Sequence, residues 1–295
     1  MTRRDQVVVI GALAAAAFAI AWGLVKKRRS TRRDVKVLIF DIDDTLYPVT
    51  NGFTAHRNAD VALKFMVERL AFASKEEAAA VRNPFFQKYH STIKALTVLA
   101  LEGQLPPMPD GSPREFNGEE LSTYWAEACD FDKYFPSPDP ALVAVMRSLK
   151  NDVSGLDIVA FTNGPRKYAL RLLKALGLDE FFPPDMVFAV DDVMPHCKPE
   201  AAAFDKVLSG MRAKTGDCEL AYSNCIMFED SMKNVRAAKA LGMGTCLILA
   251  KEGTHDSNNL ADAGESSDPA VDVTLSLANE MKEKIPFLWQ RQWVD

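Results

Sequence analysis

From residue 34 onward, short apolar runs alternate with longer stretches in which apolar positions recur every three or four residues. The short runs are typical of strands buried on both faces, and the longer stretches have the period of amphipathic helices. The strand candidates are 35–40, 157–162, 186–190, 225–229 and 245–250. Helical patterns start at Arg166 and at Glu200, and a third ends at Gly242, a residue suited to a C-cap. This alternation predicts an α/β fold with a doubly wound parallel sheet.

Residues 47–140 break the alternation. They contain amphipathic helical patterns at 58–72, 85–103 and 119–131 and a proline-rich loop, without the two-residue period of a strand. We therefore expect a helical cap at 47–140, inserted into a core that consists of residues 34–46 and 141–295. The segment 272–285 is expected to add one more strand and helix to that core.

The N-terminus has a different character. Gln6–Val25 is a run of 20 residues without a charge, and as a helix it would span about 30 Å, the thickness of the bilayer hydrocarbon. Basic residues follow at once, where the cleavage site of a signal peptide would lie, and transit peptides are amphipathic rather than uniformly apolar. We expect residues 1–33 to form a membrane anchor with one transmembrane helix. The basic flank after Val25 places the remainder on the cytoplasmic side, at the mitochondrial outer membrane or the endoplasmic reticulum.

The distribution of charged residues indicates which classes of partner the protein can bind. The first 33 residues carry eight basic residues and one acid, whereas the remainder carries 27 basic and 39 acidic residues. A body this acidic argues against nucleic-acid binding by bulk electrostatics, and its acids could gather a metal cation. The five cysteines form no CxxC pair, which favours reduced thiols over a disulfide framework.

Polar side chains cluster where the predicted strands end. They are Asp41, Asp43 and Asp44 after the first strand, Thr162 and Asn163 at the second, Lys198 beyond the third, and Glu229 and Asp230 at the fourth. Taken singly, each could cap a turn or a helix or be a solvated loop residue. Ligands of open parallel sheets, however, bind outside the carboxyl ends of the strands, so these groups are expected to converge on one crevice.

Together these residue types suit phosphoryl transfer. A carboxylate can attack phosphorus, and a second acid two residues away can protonate the leaving oxygen and then activate water. Mg²⁺ prefers hard oxygen ligands and neutralises clustered acids, while a lysine and a hydroxyl balance the phosphoryl charge. We therefore expect a Mg²⁺-dependent site for a phosphate ester.

Four ordered motifs, "FDIDDTLYP", "FTNG", "CKPE" and "FEDSMKNVRAAKALGM", resemble those of the haloacid dehalogenase superfamily and cover the chain from about Val35 to its C-terminal region. The resemblance implies a Rossmann-like core with an inserted cap. It also implies that Asp41 is the nucleophile and Asp43 the general acid and base. Thr162 and the amide of Asn163 would bind the phosphoryl group, and Lys198 would pair with the phosphate and Asp41.

The resemblance also implies a metal site. Asp41, the backbone carbonyl of Asp43, and Asp230 would hold Mg²⁺, with Glu229 assisting directly or through water. The pair Glu229–Asp230 departs from the Gly-Asp or Asp-Asp of many members, which leaves the exact role of Glu229 open.

Asp43 also separates activities within the superfamily. Dehalogenases lack an acid at that position and ion-pumping ATPases carry a threonine, so an aspartate implies a phosphatase or a phosphomutase. The first and last motifs together with "FFQKYHSTIKALTVLA" resemble the pyrimidine 5′-nucleotidase branch, which hydrolyses UMP and CMP. In that comparison Tyr89 and Lys94 could face the substrate, although they could equally be ordinary helix residues, and His90 stands where the branch has a small residue.

The leading hypothesis is thus a membrane-tethered phosphatase acting on a small phosphate monoester, most readily a nucleoside 5′-monophosphate. The alternatives are a phosphomutase or another sugar-phosphate phosphatase, and a tethered adaptor that keeps the fold without catalysis. Analysis of the products from mixed metabolite phosphates separates a mutase from a phosphatase. Against the adaptor, none of the motif acids nor the lysine is missing.

Overall fold

The computed structural model describes residues 32–249 and 268–294. Its strands are β1 (Arg32–Asp34), β2 (Val37–Phe40), β3 (Asp157–Phe161), β4 (Val187–Phe188), β5 (Cys225–Glu229), β6 (Gly244–Ile248), β7 (Val273–Leu275) and β8 (Gln292–Val294). Six of them form one parallel sheet in the order β4-β3-β2-β5-β6-β7, and β1 pairs with β8 in a separate antiparallel ribbon. The predicted doubly wound parallel sheet is confirmed.

The helices connect these strands and fill the predicted insertion. Helix α1 is a continuous run of Phe53–Ala55, a π-helical stretch His56–Val61 and Ala62–Leu70. The others are α2 (Lys75–Tyr89), α3 (Thr92–Leu101), α4 (Gly118–Ala128), α5 (Phe131–Tyr134), α6 (Pro140–Asp152), α7 (Arg166–Ala175), α8 (Val190–Val193), α9 (Ala201–Thr215), α10 (Met232–Leu241) and α11 (Met281–Lys284).

Strand β2 shows why this sheet is buried on both faces. Leu38 and Phe40 pack into a large core on one side, and Val37 and Ile39 pack into a smaller core on the other. Because side chains alternate along a strand, an unbroken apolar run can fill two cores at once. The order of the strands reverses at β2, since the chain runs outward to β3 and β4 and then returns to β5 on the other side. A crevice for ligands is expected outside the carboxyl ends of β2 and β5.

Between β2 and β3, the described chain contains helices and no strand. We call residues 53–134, which carry α1 to α5, the helical insertion. The helical pattern at 85–103 runs without a break in the sequence, but the structure divides this stretch between the two helices α2 and α3. His90 adopts a left-handed conformation with φ 48°, and Ser91 then caps α3 by accepting from the backbone N–H of Lys94. A serine before a new helix offers an acceptor for the free N–H groups of the first turn, and this favours the break.

Other boundaries differ slightly. The strand expected at 186–190 is only Val187–Phe188, because the chain turns into the short helix α8 at Val190. The expected strand and helix at 272–285 are present as β7 and α11. The expected membrane segment Gln6–Val25 lies outside the described residues. Within the described ranges, no helix combines the length and apolar character needed to cross a bilayer.

Gly244, at the start of β6, allows a close approach that a side chain would block. A Cβ there would lie 2.4 Å from Ile226 Cδ1 and 2.7 Å from the indole nitrogen of the buried Trp293. We expect Gly244→Ala to lower the free energy of unfolding by about 1–3 kcal/mol through overpacking. Urea denaturation measures this.

The matched control is Gly118→Ala in the first turn of α4, where the nearest atom would be 3.7 Å from the new Cβ. This change should leave stability the same or raise it by up to about 1 kcal/mol, because alanine restricts the unfolded chain. Equal effects of the two substitutions would contradict the packing argument.

Candidate active site

The acids predicted from the sequence meet outside the carboxyl ends of β2 and β5. Asp41 directly follows β2, and its backbone N–H continues the ladder by donating to Phe228 O at 2.9 Å. Glu229 is the last residue of β5 and Asp230 follows it. The side chains of Asp41 and Glu229 are buried, with 7% and 1% of each residue exposed. Two acids in such a place need a counter-charge.

Lys198 supplies that counter-charge. Its Nζ donates to Asp41 Oδ1, to Glu229 Oε2 and to the carbonyl of Phe161, each at 2.8 Å, and only 1% of the residue is exposed. Burial by itself would lower the pKa of this ammonium, but the two carboxylates hold the pKa above its usual range. The lysine is therefore charged at every physiological pH.

The side chain of Asn163 positions Lys198. Its Oδ1 accepts from the backbone N–H of Lys198 at 2.9 Å, and its Nδ2 donates to the carbonyl of the same residue at 2.9 Å. Its own carbonyl accepts from the Ser91 hydroxyl at 3.0 Å. The sequence assigned only the backbone amide of Asn163, so this role of the side chain was missed.

Thr162 lies immediately after β3 and is buried. Its Oγ1 accepts from the backbone N–H of Gly164 at 2.9 Å, which leaves the hydroxyl proton to donate to a ligand. A Cβ on Gly164 would lie 3.2 Å from Tyr168 and 3.3 Å from Thr162 Oγ1, so glycine suits this tight turn. Thr162, Asn163 and Lys198 all line the same cavity as Asp41.

Three carboxylates form a possible cation site. One oxygen from each of Asp41, Glu229 and Asp230 lies within 4.8 Å of the others. Burial, assisted by repulsion from Glu229, raises the pKa of Asp41 from 3.8 to about 8, despite the opposing effect of Lys198. Burial and the neighbouring carboxylates likewise raise the pKa of Asp230 well above its usual range. Clustered oxygens with raised pKa values are the donor set that a hard divalent cation such as Mg²⁺ neutralises.

The side chain of Asp43 lies outside this cluster and contacts the helical insertion. Its Oδ1 accepts from the hydroxyls of Tyr47 at 2.7 Å and Tyr168 at 2.6 Å, and its Oδ2 forms an ion pair with Arg57. Arg57 also donates to the Tyr168 hydroxyl at 2.8 Å. The motif that contains Asp43 also contains Tyr47, but no motif indicated Arg57 or Tyr168, which lie outside all four.

The helical insertion forms the opposite wall of the cavity. This wall consists of Thr54, Arg57, Asn58, Phe86, His90, Ser91, Thr92 and Trp125. Two of its buried polar atoms, Trp125 Nε1 and Thr92 Oγ1, have no hydrogen-bond partner among the residues that the structure describes. None of these residues could be predicted to face a ligand, because the aromatic and polar residues of an amphipathic helix carry no signal that distinguishes a cavity wall from a core.

Tyr89 and Lys94, suggested as substrate contacts, do not line this cavity. Lys94 forms an ion pair with Glu200, and its Nζ lies 5.1 Å from the centre of the Tyr89 ring. The carbonyl of Tyr89 accepts from Cys197 Sγ at 3.5 Å. Both residues thus attach the insertion to the loop that carries Lys198. Residues two apart on a helix face different sides, so Thr92 lines the cavity and Lys94 points elsewhere.

A protein-family model described as haloacid dehalogenase-like hydrolase matches residues 35–242. Phosphate metabolism protein 8 of Saccharomyces cerevisiae is 25% identical over an alignment of 232 residues that covers 76% of this chain and 65% of the yeast protein.

Similar folds occur among solved structures. A HAD phosphatase from Thermococcus onnurineus is 19% identical with a TM-score of 0.52, covering 84% of this chain and 97% of its own. CbbY from Rhodobacter sphaeroides, solved in complex with phosphate, is 16% identical with a TM-score of 0.52, covering 84% of this chain and 96% of its own. At these identities the likeness shows the shared fold.

The raised pKa of Asp41 predicts how a cation affects stability. Without a cation, folded Asp41 holds its proton up to about pH 8 and unfolded Asp41 only to about 3.8, so this group's contribution to stability falls as the pH rises between these values. A cation on the carboxylate replaces that proton. We expect millimolar Mg²⁺ to raise the melting temperature more at pH 8 than at pH 6.

Thermal melts with and without Mg²⁺ at the two pH values measure this difference. Asp230→Asn removes one carboxylate of the cluster and should reduce the gain at pH 8. A gain of the same size at both pH values, or one that Asp230→Asn leaves intact, would argue against a cation at this cluster.

Proposed function

The chain belongs to the haloacid dehalogenase-like hydrolase family, and on this premise we propose that it is a Mg²⁺-dependent phosphatase that hydrolyses a small phosphate monoester. The observation that supports this most directly is the contact of Lys198 with both Asp41 and Glu229 at 2.8 Å, at the edge of the carboxylate cluster. It puts a permanent positive charge beside a carboxylate that can attack phosphorus.

In the proposed reaction, an oxygen of Asp41 attacks the phosphorus of the ester. The bond from phosphorus to the ester oxygen breaks, its electron pair stays on that oxygen, and Asp43 donates a proton to it. Asp43 then takes a proton from a water molecule whose oxygen attacks the phosphorus of the aspartyl-phosphate. Inorganic phosphate leaves and Asp41 is restored.

Three groups from different loops would bind the transferred phosphoryl group. Thr162 offers its hydroxyl proton, Asn163 its backbone N–H, and Lys198 its charge. When bound, Mg²⁺ would neutralise the phosphoryl oxygens and the clustered acids, and it would be held by Asp41, Asp230, Glu229 and the backbone carbonyl of Asp43. Since Glu229 already accepts from Lys198 and from the backbone N–H of Ser231 at 3.2 Å, its second task is to hold the lysine in place.

We propose a nucleoside 5′-monophosphate, with a pyrimidine base, as the substrate. The cavity wall offers the aromatic rings of Phe86 and Trp125 and the amide of Asn58, which suit a flat leaving group with polar edges. The names of the yeast relative and of the archaeal phosphatase are in keeping with phosphate chemistry.

The test is a panel of phosphate esters with purified protein: UMP, CMP, AMP, sugar phosphates and 4-nitrophenyl phosphate, with and without EDTA. We expect release of inorganic phosphate that EDTA abolishes and that is fastest with UMP or CMP. Asp41→Asn should abolish release, because an amide cannot form the phosphoenzyme, while the protein stays folded.

Different outcomes separate the alternatives. A preference for sugar phosphates would keep the mechanism and reject the nucleotide, and isomerised phosphate esters among the products would indicate a mutase. A folded Asp41→Asn protein that retains turnover would refute the nucleophile. No release from any ester by folded protein with Mg²⁺ would favour a non-catalytic adaptor.

We further propose that residues 1–33 anchor the chain in a membrane with the hydrolase unit on the cytoplasmic side. The support is the uncharged run of 20 residues and the basic residues that follow it. After alkaline extraction of cells, full-length protein should stay in the membrane pellet, whereas residues 34–295 expressed alone should not. Full-length protein in the alkaline supernatant would reject the anchor.

A further inference from the structure

The carboxylate of Asp43 lies at the junction between the core and the helical insertion, and its described partners come from both parts. We propose that Arg57 is a positioning residue for Asp43: with Tyr47 and Tyr168 it fixes the orientation in which Asp43 serves the reaction. This inference rests on the proposed function, in which Asp43 is the general acid.

The contacts restrict the carboxylate strongly. Oδ1 accepts from Tyr47 at 2.7 Å and from Tyr168 at 2.6 Å, while Oδ2 faces the guanidinium of Arg57. Because both oxygens are engaged, the group cannot rotate without losing a charge-assisted hydrogen bond. A carboxylate has about four acceptor positions, so three donors leave one, which is the number a general acid needs for its transferable proton.

Arg57 is itself held in one place. Only 7% of the residue is exposed, and its guanidinium carbon lies 5.3 Å from the centre of the Trp125 ring and 5.2 Å from that of Tyr168. Its Nε donates to Asn58 Oδ1 at 3.3 Å and its Nη1 to the Tyr168 hydroxyl at 2.8 Å. A planar cation packed against two rings has little rotamer freedom left to lose, so it can determine where its partner lies.

The contact of Arg57 with Asp43 joins the helical insertion to the core. Arg57 lies in the π-helical stretch of α1, in the helical insertion, whereas Asp43 follows β2 and Tyr168 lies in α7 of the core. Both Arg57 and Asp43 line the cavity. The position of the general acid therefore depends on the insertion being seated on the core.

The experiment uses two esters that differ in their need for an acid. The sugar alkoxide leaving UMP requires a proton, whereas 4-nitrophenolate is a stable anion and leaves with little help. The measured quantity is the ratio of kcat/KM for UMP to that for 4-nitrophenyl phosphate in full-length protein, because kcat/KM reports on phosphoryl transfer to Asp41 and not on the later hydrolysis.

Asp43→Asn measures how far the ratio falls when the acid itself is lost. We expect it to lower the ratio by about 10²-fold or more, since general acid catalysis contributes about 10²–10⁴-fold. Arg57→Met should lower the ratio by at least about tenfold, and Arg57→Lys, which keeps the charge without the planar fork, should fall between Arg57→Met and the wild type. Tyr168→Phe should lower the ratio in the same direction.

Arg82→Met is the matched control. Arg82 is also a buried arginine of the insertion, but it donates to Asn58 O at 2.9 Å and to Asn83 Oδ1, and it lies in the helix α2. Its loss carries the structural cost of removing a buried guanidinium. Because Arg82 bonds to the backbone carbonyl of Asn58 and not to its side-chain amide, both esters should be affected in the same proportion and the ratio should stay the same.

The outcomes distinguish the inference from the proposed function. If Asp43→Asn lowers the ratio and a folded Arg57→Met protein does not, the positioning role is wrong and the phosphatase mechanism stands. If Arg82→Met lowers the ratio as much as Arg57→Met, the effect is structural and the inference fails. If Asp43→Asn leaves the ratio unchanged, Asp43 is not the acid and both are wrong. If Arg57→Met does not fold, Arg57→Lys and Tyr168→Phe decide the matter.

Discussion

A single buried ammonium ties together the ends of three neighbouring strands. Lys198 Nζ bonds to Phe161 at the end of β3, to Asp41 after β2 and to Glu229 at the end of β5. Taking ionised groups out of water costs several kcal/mol per ion, and an apolar cluster of the same shape would stabilise a fold at least as well. This arrangement therefore makes physical sense as a functional site. The sheet places the charges at its reversal of strand order, where a ligand can reach them.

The other half of the site is built from a different part of the chain. The helical insertion contributes a cavity wall and the guanidinium of Arg57, and the core contributes the phosphate-binding loops. The contacts between the insertion and the core include the ion pair of Arg57 with Asp43 beside the chemistry and the ion pair of Lys94 with Glu200 beside the loop that carries Lys198. The roles proposed for Asp41 and Asp43 thus depend on different neighbours, because Asp41 contacts Lys198 of the core and Asp43 contacts Arg57 of the insertion.

Much of the core could be predicted because buried strands and helix ends have characteristic local sequences. The run at 225–229 is a strand with the same bounds in the structure, and the helix ending before Gly242 has that glycine in a left-handed C-cap with φ 97°. The insertion was less predictable. The break at His90 could not be predicted from the apolar pattern at 85–103, because that pattern has a helical period on both sides of the residue.

By itself, the sequence determined the class of fold, the clustering of Asp41, Lys198 and Asp230 at one edge of a parallel sheet, and the chemistry such groups can perform. These conclusions follow from local composition together with one topological rule, that parallel strands end at the same edge. Only the tertiary structure decided which atoms touch. Arg57 meets Asp43, and Asn163 holds the backbone of Lys198, because packing brings together residues far apart in the chain, and no local pattern of apolar and polar positions encodes such a pairing.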